Sequence, residues 1–119
     1  MRIERELMRG AGPVAVLKLL GRGEKYGYEL VDELAQKSDG VLAMGQSTLY
    51  PMLYNLEGKG LIEGVWREAD SGRDRKYYRL TDKGRKKLAE DIKQWQALAD
   101  AMVGLGVLKP SPRVEGGLA

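Results

Sequence analysis

The sequence contains no cysteine and no histidine among its 119 residues. Their absence excludes disulfide bonds, thiolate nucleophiles, zinc fingers and most transition-metal sites. Without imidazole, an enzyme would depend on carboxylates, Lys, Ser, Thr or Tyr. The chain has no Ser-x-x-Lys, Gly-x-Ser-x-Gly or Walker A motif that would organise such groups. We therefore expect neither an enzyme nor a bound metal or other cofactor.

Long apolar runs are also missing, and none approaches the roughly 20 residues that span a bilayer. The opening segment MRIERELMRG carries charges where a signal peptide has an apolar stretch. We therefore expect a cytoplasmic protein with no membrane partner. The composition, 43% hydrophobic and 31% charged, is ordinary for one globular domain. A net charge of +3 permits a polyanionic partner but does not require one.

Sequence signals divide the first half of the chain into three helices. An apolar run after Gly12-Pro13 predicts a helix with proline at its first position, where a missing N–H is tolerated. A second helix is predicted to begin near Tyr26 or Gly27, and a third lies in QSTLYPMLYNLEGKG, which starts at Gln46. Two strand-like runs follow, joined by a turn that contains the dipeptide Ser-Gly.

The third predicted helix has an apolar face and an opposite polar and aromatic face. Its apolar positions recur at helical spacing and are predicted to face the core: Leu49, Met52, Leu53 and Leu56. If Ser47 or Thr48 caps the helix, Pro51 lies in the first turn and forfeits at most one backbone bond. The hydroxyl, amide and phenol groups on the opposite face can bond to phosphates or base edges, although a merely solvated face is the alternative.

A fourth helix is predicted after Thr81, whose hydroxyl can cap it. Its apolar residues alternate in steps of four and three, the spacing of a coiled-coil seam. This stripe could pack on the chain's own core, but so long a helix favours dimerisation, because a small domain cannot cover its whole apolar face. The predicted dimer-interface residues are Leu88, Ile92, Trp95, Leu98, Ala99 and Met102. The Pro- and Gly-rich tail at 107–119 is predicted to be disordered.

Three helices followed by a hairpin is the order of a winged helix-turn-helix, in which the third helix enters the major groove. We therefore predict a mainly α fold with a small β-hairpin wing. A winged helix-turn-helix occupies residues 1–80, including a helical arm at 1–11, and a long C-terminal dimerisation helix occupies 81–106. The predicted DNA-binding residues are Gln46, Ser47, Thr48, Tyr50, Pro51, Tyr54, Asn55, Arg73, Arg75 and Lys76. Charges between 46 and 80 are nearly balanced, which leaves open a winged-helix protein-interaction module that does not bind DNA.

Four segments resemble the PadR family of bacterial transcriptional regulators: YGYELVDEL, STLYPMLYNLEGKGLIEG, GRDRKYYRLTDKGRKKL and the helix around Trp95. The resemblance runs from about Pro13 to Met102 and is closest to members with a single C-terminal helix. It implies a homodimeric repressor that binds a roughly palindromic operator with its third helix and wing. It also implies an N-terminal segment, here Met1–Gly10, that often packs on the partner subunit.

The same resemblance implies that a small aromatic or drug-like effector can relieve repression. Some short-tailed relatives hold flat aromatic ligands between subunits against a tryptophan, which makes Trp95 the candidate ligand residue, although plain interface packing is the alternative. Many members carry His at the position of Tyr26, a difference expected to alter only a turn. Many also carry Arg or Lys just before the Leu-Glu pair, where this chain has Tyr54-Asn55. Positive charge at the DNA is therefore expected to come mainly from the wing.

Overall fold

A computed structural model describes residues 1–68 and 70–111 of the chain. Its elements, in chain order, are α1 (Arg5–Leu20), β1 (Lys25–Tyr26), α2 (Gly27–Lys37), α3 (Gln46–Gly58), β2 (Ile62–Glu68), β3 (Asp74–Leu80) and α4 (Asp82–Gly104). The chain forms two compact units, Met1–Ala89 and the part from Glu90 onward. The predicted mainly α fold with a hairpin wing is confirmed.

The first unit is built around one aliphatic core to which every one of its longer helices contributes. Its most deeply buried side chains are Val16, Leu17, Leu30, Leu49, Leu53 and Ile62. These come from α1, α2, α3 and β2, so burial of apolar surface joins the three helices to the wing. The predicted apolar face of α3 lies in this core, with Met52 packed partly buried against it.

Helix α1 runs through Pro13 instead of beginning there, so the predicted start of the first helix was wrong. The proline removes the N–H that would bond to the carbonyl of Arg9, a change that costs a helix interior about 3 kcal/mol. Packing of the helix before and after Pro13 offsets this cost, and Val16 and Leu17 are buried in the turn that follows the proline. Met8 packs against the core, and Gly12 lies so close to Met52 that a Cβ atom there would stand 2.5 Å from its terminal methyl group. The predicted helical arm at 1–11 is therefore continuous with α1 from Arg5 onward, while residues 1–4 precede the helix.

Helix α3 begins earlier than predicted, and Pro51 lies in its second turn, so the prediction of a first-turn proline capped by Ser47 or Thr48 was wrong. Gly45 has extended dihedral angles and is the N-cap, and its carbonyl accepts the first helical bond from the N–H of Leu49 at 3.1 Å. Pro51 consequently leaves the carbonyl of Ser47 without its helical donor. Burial of the apolar face of α3 holds the helix together across this gap.

The wing is a three-stranded antiparallel sheet with the order β1-β3-β2, one strand more than the predicted hairpin. In the hairpin, Ile62 pairs with Leu80 at the base and Glu68 with Asp74 near the tip. The added strand pairs Tyr26 with Tyr77 and joins the start of α2 to the wing. Two residues are too few to show an alternating pattern, which is why the sequence did not predict this strand.

The junctions at the base of the wing fix its position relative to α3. Gly60 has a φ of +75°, a left-handed conformation that ends α3, and the N–H of Leu61 donates back to the carbonyl of Leu56 at 3.0 Å. Thr81 accepts a hydrogen bond from the N–H of Gly84 at 3.0 Å, so its predicted role as the cap of α4 is confirmed. The same hydroxyl donates to the carbonyl of Gly60 at 2.7 Å and so joins both junctions.

Helix α4 ends at Gly104, two residues before the predicted limit, in a turn where Gly106 has a φ of +80°. The N–H of Val107 donates to the carbonyl of Met102 at 2.9 Å, the closing bond of a Schellman motif. Residues 107–111 follow outside any helix or strand, and the rest of the tail predicted to be disordered lies outside the described residues. None of the helices in residues 1–68 and 70–111 is long and apolar enough to cross a membrane.

Candidate nucleic-acid interface

The outward face of α3 forms an exposed strip of polar and aromatic side chains. The strip contains all seven α3 residues that the sequence predicted for DNA binding: Gln46, Ser47, Thr48, Tyr50, Pro51, Tyr54 and Asn55. Tyr54 is the more exposed of its two tyrosines, with 81% of its surface accessible. No Lys or Arg occurs between Gln46 and Gly58, so the strip itself carries hydrogen-bonding groups without positive charge.

Tyr50 differs from Tyr54 because its ring lies against α2. A Cβ atom on buried Gly27 would stand 2.6 Å from the Tyr50 hydroxyl oxygen and 2.9 Å from the carbon that bears it. Glycine at the start of α2 therefore leaves the space that the Tyr50 ring occupies. The tyrosine is 43% exposed and connects the strip to the first turn of α2.

Lys76 joins the wing to α3, a contact that the sequence did not predict. Its ammonium group on β3 donates to the carboxylate of Glu57 on α3 at 3.0 Å, and it also lies 5.3 Å from the ring centre of Tyr78. The hydrogen bond to Glu57 raises the pKa of Lys76 above its ordinary value. Lys76 thus stays protonated and holds helix and wing together, whereas the sequence suggested only a phosphate contact.

The other two predicted wing residues are exposed, and one of them rests on an aromatic ring. The guanidinium carbon of Arg75 lies 4.5 Å from the ring centre of Tyr26, within the range of a cation–π contact. The Tyr26 ring meets Tyr77 edge-on at 5.4 Å. Arg73 lies just before β3, beside Gly72, whose φ of +80° shapes the turn. Arg73 and Arg75 are therefore exposed cations at and near the hairpin tip.

Sequence reasoning missed the supporting residues of this site: Tyr26, Gly27 and Glu57. Each acts through a residue distant in the chain, so helical or strand periodicity contains no signal for its partner. The one available signal was the difference from the family at Tyr26, which was expected to alter only a turn. The Tyr26 ring instead makes a cation–π contact with the guanidinium group of Arg75.

The predicted seam residues of α4 differ in their exposure within one chain. Ile92, Trp95 and Leu98 are 44%, 42% and 50% exposed, while Ala99 and Met102 are half-buried. Leu88 lies in the first unit and is partly buried against its core, so it already has a partner in its own chain. Three large apolar side chains at helical spacing thus remain substantially exposed.

Comparison with known proteins agrees with this architecture. Residues 16–90 match the Transcriptional regulator PadR-like family. A transcriptional regulator of Mycobacterium tuberculosis is 36% identical over 100 residues, which cover 84% of this chain and 90% of that protein. The crystal structure of a PadR family regulator from Eggerthella lenta is similar, with 41% identity, a TM-score of 0.73 and coverage of 84% of this chain and 85% of that one. A Streptococcus transcriptional regulator has 34% identity, a TM-score of 0.76 and coverage of 87% and 99%. The chain therefore belongs to the PadR-like family of transcriptional regulators.

Proposed function

We propose that this protein is a sequence-specific repressor that inserts α3 into the major groove of an operator. The observation that carries the proposal is the exposed strip of α3, fixed beside a wing by the Lys76–Glu57 ion pair. Hydroxyl, amide and phenol groups donate and accept the hydrogen bonds that distinguish base edges. Tyr54, whose side chain is 81% exposed, is the residue expected to contribute most to base contact.

The wing supplies phosphate contacts in this proposal. Arg73 and Arg75 are exposed cations at and near the hairpin tip, and each can neutralise one backbone phosphate. Lys76 is occupied by Glu57, so its main contribution is to hold the wing against α3. Residues 1–80 then form the DNA-binding domain, with helix and wing oriented as one rigid reader.

The proposal includes a homodimer formed through the segment 81–106. The exposed apolar side chains of Ile92, Trp95 and Leu98 support it, because a second copy can cover them and a single chain leaves them about half exposed. Two copies related by a twofold axis would read two half-sites, so the operator is expected to be roughly palindromic.

Fluorescence anisotropy with DNA from upstream of the protein's own gene tests the proposal. We expect binding about a thousandfold tighter than to a scrambled duplex of equal length, and a steep loss of affinity between about 50 and 200 mM salt. A Tyr54→Ala variant should lose much of this preference while its unfolding curve stays unchanged, and Tyr54→Phe should separate the ring from the hydroxyl.

Weak and equal binding to every duplex, including a random-sequence pool, would contradict the repressor proposal. It would instead favour a protein-interaction module, for which the exposed Tyr54 would be a suitable contact.

The effector part of the proposal uses the same complex. Trp95 is a partly exposed indole in the seam, and a planar aromatic compound that stacks on it should release the duplex and quench its fluorescence. A Trp66→Tyr background isolates the Trp95 signal. If the duplex is released while Trp95 emission is unchanged, the effector binds elsewhere.

A further inference from the structure

The helix proposed to enter the major groove, α3, carries no positive charge of its own. Helix α3 has no Lys or Arg from Gln46 to Gly58, and its one acidic residue, Glu57, is paired with Lys76 of the wing. Since the affinity of a protein for duplex DNA depends strongly on phosphates neutralised by Lys and Arg, cations must reach the duplex from elements beside α3. Arg73 and Arg75 provide them on the wing side only.

Helix α1 places two arginines along the opposite edge of α3. Arg5 and Arg9 are exposed and line a cleft of about 380 Å³ together with Thr48, Pro51 and Asn55 of the exposed strip. Residues four apart lie on one face of a helix, so both guanidinium groups are presented to the same side. The floor of the cleft is apolar and includes Met8 and Met52.

The position of these arginines is set by packing in the first unit. Because α1 is continuous through Pro13, the turn that carries Arg5 and Arg9 belongs to the same helix as core residues Val16 and Leu17. Met8 packs on the core between the two arginines, and the close approach of Gly12 to Met52 joins α1 directly to α3. The spacing between the arginines and the exposed strip is therefore held by side-chain packing and not by a loose segment.

A neighbouring cleft shows why the proposal rests on these two arginines alone. Arg2 lines it together with Arg5, Gly45 and Thr48, but Glu4 lines it as well, and Arg2 does not line the second cleft, which Arg5 shares with Arg9. A carboxylate in that cleft offsets the attraction of Arg2 for a phosphate. The cleft of Arg5 and Arg9 has no acidic residue in its lining within the described parts of the chain.

We infer that Arg5 and Arg9 bind backbone phosphates next to the bases that α3 reads. Helix α3 is then bracketed by cations on both sides, those of α1 and those of the wing. This inference rests on the proposed DNA-binding function and adds a contact surface to it. Since phosphates are the same in every sequence, the two arginines contribute affinity and salt dependence and leave sequence preference unchanged.

The test compares two double variants that each remove two positive charges. Arg5→Gln/Arg9→Gln neutralises the proposed contact, and Lys18→Gln/Arg22→Gln removes two exposed cations near the other end of the helix, where they line a depression with Glu33 and Lys37 of α2. Loss of two phosphate contacts should lower the slope of log affinity against log salt by about 1.8. Over a fourfold rise in salt, wild-type affinity should therefore fall roughly tenfold more than that of the Arg5/Arg9 variant.

We expect the Lys18/Arg22 control to keep the wild-type salt slope, and the Arg5/Arg9 variant to keep the wild-type ratio of operator to scrambled binding. Equal slopes for the two double variants would overturn the inference. So would loss of affinity accompanied by dissociation to monomers in sedimentation equilibrium, because the arginines would then act in self-association. A wild-type protein that binds no duplex would refute the proposed function itself, which is a separate result.

Discussion

At the scale of single residues, the contact of Arg75 with Tyr26 supports the proposed role of the wing in phosphate binding. An arginine side chain in solution samples many rotamers, and ordering it on binding costs free energy. The Tyr26 ring, held by strand pairing with Tyr77 and by an edge contact to the same residue, offers a fixed surface for the guanidinium group. Tyr26 therefore acts as a positioning residue for Arg75.

This role predicts that Tyr26→Leu weakens operator binding about two- to fivefold, the equivalent of a cation–π contact of about 0.5–1 kcal/mol. Tyr26→Phe keeps the ring and should bind as the wild type does. In an Arg75→Ala background, Tyr26→Leu should have no further effect, because the residue it positions is gone. Anisotropy titrations of the wild type, Tyr26→Leu, Arg75→Ala and the double variant measure this coupling. Equal losses in both backgrounds would show that Tyr26 acts independently of Arg75.

At the scale of elements, Glu33 joins β1 to α2. Its carboxylate accepts from Lys25 of β1 and from Lys37 in the last turn of α2, both at 2.8 Å. The hydrogen bond from Lys25, followed by that from Lys37, lowers the pKa of Glu33 below its ordinary value of 4.5. The pair with Lys25 helps to hold the strand that carries Tyr26.

A lowered pKa stabilises the folded state above the ordinary value and stops doing so as the pH falls through the folded value. Glu33→Gln should therefore reduce the free energy of unfolding by about 0.5–1 kcal/mol at pH 7, and the difference should shrink as the pH falls below 4.5 and through the lower pKa of the folded state. Urea unfolding at fixed protein concentration measures both values, with Glu90→Gln as an exposed control. If the difference in free energy of unfolding is as large at pH 3 as at pH 7, the substitution acts by changing the packing of the side chain and not by removing its charge.

At the scale of the whole molecule, the proposed homodimer would connect self-association through the exposed apolar side chains of α4 to DNA binding. One chain can contact only one half-site, so a dimer gains affinity by presenting two readers together. Ile92 and Trp95 belong to a stripe that a second copy can cover.

Ile92→Glu should convert the protein to monomers, since a carboxylate in a desolvated seam has no partner. Operator affinity should then fall at least tenfold at concentrations where the wild type is dimeric. The matched control is Gln94→Glu, which adds the same charge at an exposed position outside the stripe. Sedimentation equilibrium and anisotropy provide the measurements. A dimeric Ile92→Glu protein would place the interface elsewhere.

The predictable part of this protein is local in the chain. Helical spacing in the third helix identified Leu49, Leu53 and Leu56 as its core face, and the opposite strip followed by elimination. Thr81 was predicted as a cap from its type and position. Such features need only neighbouring residues, because hydrogen bonds and side-chain faces within a helix repeat over three or four positions.

What depended on tertiary structure involves residues far apart. Helix α1 tolerates Pro13 because Gly12 packs closely against Met52. Lys76 forms its ion pair with Glu57, 19 residues away in the chain, and Arg75 makes a cation–π contact with Tyr26. The alignment of Arg5 and Arg9 with the exposed strip of α3 has the same origin. Periodicity determines which face of each element is buried. Which exposed side chains come into contact is decided only when those faces pack into one core. Such contacts bring together residues that are far apart in the chain, and the sequence pattern around each residue contains no information about its distant partner.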